Sequence, residues 1–269
     1  SLVSFEQLQK QIMELAATHF VHLPVSPPPD DLSQVPYSLP SFLGETYASR
    51  QLRTAYVAHI VAKLITYRVF GPFLFSLGRR YDKADSLFSS MSAHIRDKST
   101  RKEAIWRQQT LLAAFTSSGA KQRINTAAGT VVEEIVNAIK NFAAPKEEEA
   151  IKIAVKRIVK LAAETWRFAR LEREMITAFM PALEDEEHQF TGPKYWAPYQ
   201  SDTTPAGTTS PSNKQPKLLL RLFPIIYREP RHENFREADD DKPDDGCVYH
   251  HGTALYDDAD SVVQRAEEL

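Results

Sequence analysis

Apolar residues recur at helical spacing over most of the first 180 positions and rarely after them. Phe5, Leu8, Ile12, Leu15 and Phe20, behind Ser4 and Gln7 at capping-box spacing, predict a helix over 4–20. Leu23 to Pro40 carries six prolines, each lacking an N–H and restricting its predecessor, and so reads as an extended strap. From Glu45 to Phe70 the helical pattern is apolar almost all round, with Leu52, Tyr56, Ile60, Leu64 and Tyr67 on one face and Val57, Val61, Ile65 and Val69 beside it. A helix of that kind belongs at the centre of a bundle, and Gly71 and Pro72 are expected to stop it as a C′ glycine and following proline.

Further helices are predicted over 83–96 behind Asp82, and over 101–116 with Thr100 and Glu103 as capping box. The same pattern continues over 121–143, closed by Pro145. The longest prediction is Glu147 to Phe179, about 50 Å at 1.5 Å per residue. On its wheel Ile151, Val155, Ile158, Ala162, Trp166, Ala169 and Ile176 form one stripe, and Lys152, Lys156, Lys160, Arg167 and Arg170 a separate basic one. After Pro181 the character changes. Glu184 to Glu187 is acidic, and Thr191 to Pro216 has the Pro, Gly, Ser and Thr content of a linker, so residues 200–215 are expected to be dispensable for stability. Leu218 to Tyr227 reads as a strand bent at Pro224, with Val248 to Tyr256 returning beside it and Asp260 capping a last short helix.

The reading is therefore a mainly α protein, a multi-helix bundle of five or more helices followed by a C-terminal, mostly irregular extension containing a small β-hairpin. It divides into a helical bundle domain over 1–183, an acidic and then Pro/Ser/Thr-rich linker over 184–216, and an acidic extension over 217–269 that packs on the bundle.

Charge sharpens this picture, because a net −2 conceals opposed segments. Residues 46–180 hold 23 Lys and Arg against 12 Asp and Glu, whereas residues 181–269 hold 9 against 18. The basic surplus extends beyond the long helix to Arg79, Arg80, Arg96, Lys98, Arg101, Lys102, Arg107, Lys121 and Arg123. A surface that is merely solvated intersperses both signs, so this bias points to an acidic partner.

Catalytic and metal chemistry find little to stand on. Nine glycines, none in GxGxxG or GxxxxGK[ST] spacing, disfavour the common nucleotide-binding folds, and GxSxG, HExxH and SxxK are absent. Cys247, His250, His251, Asp257, Asp258 and Asp260 are ligand types but lack the second, separated pair that zinc requires. Asp241 to Gly252 fails as a calcium loop, with Pro243 and Gly252 where oxygen ligands are needed. His59 on the central helix reads as a hydrogen-bonded core histidine, and Phe70, Phe73, Leu74 and Phe75 as an interhelical plug. Trp106 and Trp166 fall at core positions, and Trp196 with Tyr195 and Tyr199 reads as a pin for the linker. No clean apolar run reaches the roughly 20 residues of a membrane span, so no membrane partner is expected. One cysteine fits a reducing compartment, nuclear or cytoplasmic, and the chain, starting at Ser1, reads as a piece of a longer protein.

The expected function is thus a non-enzymatic intracellular interaction module, an adaptor or regulatory subunit without cofactor or metal. Its partner-binding surface is Lys152, Lys156, Lys160, Arg167, Arg170, Arg101, Lys102 and Arg107, facing an acidic protein segment or its own acidic C-terminal half. The alternative is a nucleic-acid-binding helical domain with the acidic segment as autoinhibitor.

Overall fold

A computed structural model describes residues 2–24, 26–75, 82–199, 214–232 and 245–269, and shows a mainly α fold with eight α-helices among them. The central element is α3 (Tyr47–Ile65), opened by the Thr46 hydroxyl accepting from the Ser49 N–H at 3.2 Å. Leu52, Ala55, Val57, Val61 and Ile65 are fully buried, as an all-round apolar helix demands. Around it pack α1 (Leu2–His19), α6 (Ala120–Ile139) and α8 (Asp260–Glu268), and α7 (Glu148–Arg170) joins the bundle by packing on α1 and α6.

Helix α3 does not end on a left-handed glycine. It widens into a π turn over Thr66–Phe70, and Gly71 has an ordinary φ of −69°. Glycine is required there for another reason: a Cβ would lie 2.8 Å from the Tyr67 carbonyl oxygen. The turn delivers Phe70 against Trp166, ring centroids 4.5 Å apart, with Phe5 edge-on at 6.1 Å.

Arg53, on α3 and wholly buried, ties down the proline-rich strap. Its guanidinium donates to the carbonyls of Phe20 (2.7 Å), Val21 (2.9 Å), Phe42 (2.7 Å) and Gly44 (3.1 Å), satisfying both ends of a segment that prolines leave short of internal hydrogen bonds. The short α2 (Pro29–Ser33) lies within that strap.

A second, smaller core forms beside the main one. Helices α4 (Asp82–Lys98) and α5 (Thr100–Thr116) make a hairpin in which Phe73, Leu74, Leu111, Phe88 and Trp106 pack together. Ser99, not Thr100, caps α5, its hydroxyl accepting from the Lys102 N–H at 3.2 Å; Glu103 instead turns inward.

The predicted 33-residue helix is shorter. Helix α7 stops at Arg170, and residues 176–179 form strand β1 (Ile176–Phe179). Arg107 of α5 causes the stop: its guanidinium donates to the carbonyls of Arg170, Glu172 (2.9 Å) and Arg173 (3.2 Å), while Gln108 Nε2 donates to Leu171 O at 2.8 Å. These side chains supply the donors that another helical turn would have supplied.

As expected, the described residues of the C-terminal region form small β-sheets beside irregular segments. Strands β3 (Leu218–Phe223) and β4 (Ile225–Arg228), split at Pro224, pair antiparallel with β6 (Gly252–Tyr256) and β5 (Cys247–His250) respectively, so the expected hairpin exists as one bent ribbon. Each half gains a third strand: β1 beside β4, and β2 (Trp196–Pro198) parallel to β6. Strand β3 lies on α3, where Leu219, Leu220, Leu222 and Phe223 join the main core. Trp196 is 1 % exposed, its indole donating to Phe190 O at 2.7 Å, and Gly252 is required because any Cβ would collide with its ring. No helix among the described residues is long and apolar enough to cross a membrane.

Candidate functional site

A groove of about 560 Å³ opens between α5, α6 and α7 beneath the Gly71–Pro72 elbow. Phe73, Leu111 and Phe115 form one wall and Val132, Val159 and Trp166 the other. Three small residues make room for it: Ala128 and Gly129 on α6 and Ala163 on α7. Gly129 sits mid-helix, where glycine costs about 1 kcal/mol relative to alanine, yet a Cβ there would meet nothing within 4 Å. Backbone crowding does not call for this glycine, which lies exposed along the groove.

The rim is basic. Lys156, Lys160 and Arg167 project from α7 and are exposed, and Arg170 lines the groove from below, against the single carboxylate of Glu164. Arg167 lies over the rings of Phe115 (5.8 Å) and Phe168 (5.1 Å), which holds its charge at the groove edge. Among its described lining residues the groove has no histidine, cysteine or hydroxyl side chain.

The structure divides the eight basic residues expected on the binding surface. Lys156, Lys160 and Arg167 meet at the rim. Lys152 is engaged by Glu133 of α6 at 3.0 Å, a hydrogen bond that also holds its ammonium pKa up. Arg101 and Lys102 are exposed on the first turn of α5 and do not line the groove. Arg107 is not a surface residue. It is 0 % exposed, its Nε donating to both Glu103 oxygens at 3.1 and 3.2 Å while Ser92 Oγ donates to Glu103 at 2.8 Å. Arg170 is likewise withdrawn, 8 % exposed with its guanidinium 5.0 Å over the Phe73 ring. Burial, reinforced by the neighbouring Arg107 cation, pushes its pKa down to about 10, which leaves it charged at neutral pH. Arg79 and Arg80 lie outside the described residues.

Among the described residues beyond 180, strand β3 packs on α3, and α8 is held by Arg265 Nε donating to Ser41 O at 2.7 Å and by Thr46 Oγ1 donating to Glu268 at 2.6 Å. No described residue beyond 180 lines the groove. His59 is the core histidine expected, its Nδ1 2.6 Å from Arg221 O. Among the described residues no cluster of His, Cys, Asp and Glu has the form of a metal site, and Cys247 is exposed with Arg228 Nε 3.3 Å from its sulfur.

Comparison with protein families, curated proteins and solved structures finds no match to this chain.

Sequence reasoning located the basic stripe but missed the groove. Its signals were present: a glycine within α6, and alanines on α6 and α7 that line the groove.

Proposed function

We propose that the protein is a non-enzymatic interaction module, an adaptor or regulatory subunit, whose α5–α6–α7 groove receives an acidic amphipathic segment of a protein partner. The observation that carries this reading is an apolar groove with Lys156, Lys160 and Arg167 on one rim. An apolar helix face inserted there is taken from water at about 25 cal/mol per Å², and acidic residues flanking it meet the rim. Charge complementarity thus selects an acidic occupant. A lining without a histidine, cysteine or hydroxyl side chain among its described residues supports a binding rather than a catalytic role. The nucleic-acid alternative loses some ground, since Lys152 is paired and Arg107 and Arg170 are buried, leaving Lys156, Arg157, Lys160 and Arg167 as the exposed cations of α7. A nuclear or cytoplasmic setting, argued from the single cysteine, belongs to the same proposal.

A displayed library of helical peptides with apolar residues at i, i+4 and i+7 and variable flanks tests the reading. Selection should enrich Asp and Glu in the flanks, binding should weaken with salt, and the amide shifts it causes should fall on α5, α6 and α7. Failure of any peptide to bind, or shifts confined to α1, α3 and α8, overturns it. Tight, steeply salt-dependent binding of generic duplex DNA or RNA would replace it with the nucleic-acid reading.

A further inference from the structure

Arg170 presents a problem that folding alone does not solve. Its side chain is more than nine-tenths buried and lines the groove, yet its Nε has no hydrogen-bond partner, and no carboxylate among the described residues pairs with its guanidinium. The nearby acids are committed elsewhere. Glu103 holds Arg107 and Ser92, and the two oxygens of Asp85 accept from the N–H groups of Phe73 (3.2 Å) and Leu74 (2.9 Å). A second buried donor in the same lining, Trp166 Nε1, is also without a partner. Buried polar groups are nearly always satisfied, and a buried cation without an anion is costly.

What Arg107 grips is the main-chain carbonyl of Arg170, which any residue offers. The contact with Phe73 is available to an uncharged side chain of similar length. A guanidinium that lines an apolar groove, with the Glu103 and Asp85 carboxylates acting on it only at a distance, can take an acceptor-only anion carried in on an apolar arm, and a carboxylate matches the planar guanidinium fork.

We infer that Arg170 is a specificity-determining residue, pairing with a carboxylate that the docked segment carries in among its apolar side chains. This rests on the proposed function, because the segment must occupy the groove for the carboxylate to arrive. The rim cations attract acidic flanks from water, whereas Arg170 distinguishes one acid within the buried part of the segment.

The test uses the full chain, a selected peptide with Glu at the buried position, and its Glu-to-Gln twin. Wild type should prefer the Glu peptide about ten- to a hundredfold, and Arg170→Met should abolish that preference while binding the Gln twin as wild type does. The loss should persist at high salt, whereas the loss from the triple variant K156A/K160A/R167A should shrink there. The Trp166 indole and Arg170 Nε–H resonances should move with the Glu peptide and not with its twin. R170M should melt no lower than wild type. If it does melt lower, Arg170→Lys, which keeps the charge without the fork, should still weaken the preference. Equal binding of both peptides by wild type, or equal losses for both in R170M, overturns the inference. A peptide that binds, is lost when Gly129→Phe fills the groove, and ignores Arg170 overturns this inference alone. Absence of any peptide binding by wild type overturns the proposed function with it.

Discussion

Replacing Arg107 by methionine would leave the Glu103 carboxylate buried with only the Ser92 hydroxyl for company, and would strip the carbonyls of Arg170, Glu172 and Arg173 of their donor. Hydrogen bonds to charged groups contribute about 1.5–3 kcal/mol each, and breaking one side of a buried ion pair costs about 3–5 kcal/mol. Both Arg107 and Glu103 are 0 % exposed, so solvent offers no compensation, and we expect R107M to lose about 3–5 kcal/mol. That is a large part of the roughly 5–15 kcal/mol of a typical domain. Glu103→Leu should cost about 2–3 kcal/mol, because Arg107 keeps its three carbonyls. The double variant removes both charges and should cost less than the sum of the two by about 1–3 kcal/mol. Urea denaturation of the four proteins gives the cycle. An R107M cost below about 1 kcal/mol, or a double variant that is simply additive, would refute the view that this pair ends α7 and fixes the groove floor.

His59, beside Tyr56, Lys63 and Arg221, has its pKa pushed from 6.5 to about 4 by burial. A base whose folded pKa is depressed contributes full stability above 6.5 and loses it as pH falls towards 4, because the unfolded chain takes up the proton first. The ring keeps some exposure, so a loss of about 1–3 kcal/mol is expected across that window, and subtracting the stability curve of His59→Asn should isolate it; a flat difference refutes the burial. Gly252→Ala should cost about 2–3 kcal/mol by urea melt, since its methyl would strike the Trp196 ring, and a neutral result would mean that β6 does not pass so close. Arg53→Lys should cost about 2–3 kcal/mol, because three ammonium donors on a point charge cannot serve four dispersed carbonyls; an unchanged midpoint would show that the strap is held otherwise.

Helical periodicity made the bundle legible, because an apolar stripe seldom arises without a core to bury it in, and α3 declared its central place by being apolar all round. The end of α7 was hidden for the same reason. Ile176 continues the stripe of Ile151 to Ala169 by coincidence, but it is buried as a strand residue opposite Arg228. Strands β1 and β2 are too short to show an alternation, and β2 lies in a stretch whose composition is that of a linker. The candidate surface was half legible. Counting charge treats every Lys and Arg as wet, but Arg107 shares its helix face with Glu103 and Leu111, an i, i+4 ladder that marks an inward-facing ion pair. Arg53 on an otherwise apolar helix carried the same hint. Arg170 closes the basic stripe in sequence, but Phe73 draws it inward, and that contact belongs to tertiary structure alone.

The central claim is that the groove at Gly129 is the binding site, and Gly129→Phe tests it most directly. Alanine at this position should stabilise by about 0.5–1 kcal/mol, since its methyl meets nothing and the helix gains propensity. Phenylalanine should likewise fold with a melting temperature no lower than wild type, its ring occupying the cavity between Phe115 and Val159. The account predicts that this folded protein loses binding of the selected acidic helical peptide at least about tenfold, by the affinity lost when an apolar side chain is displaced from its pocket. Unchanged affinity in a folded G129F protein would contradict it.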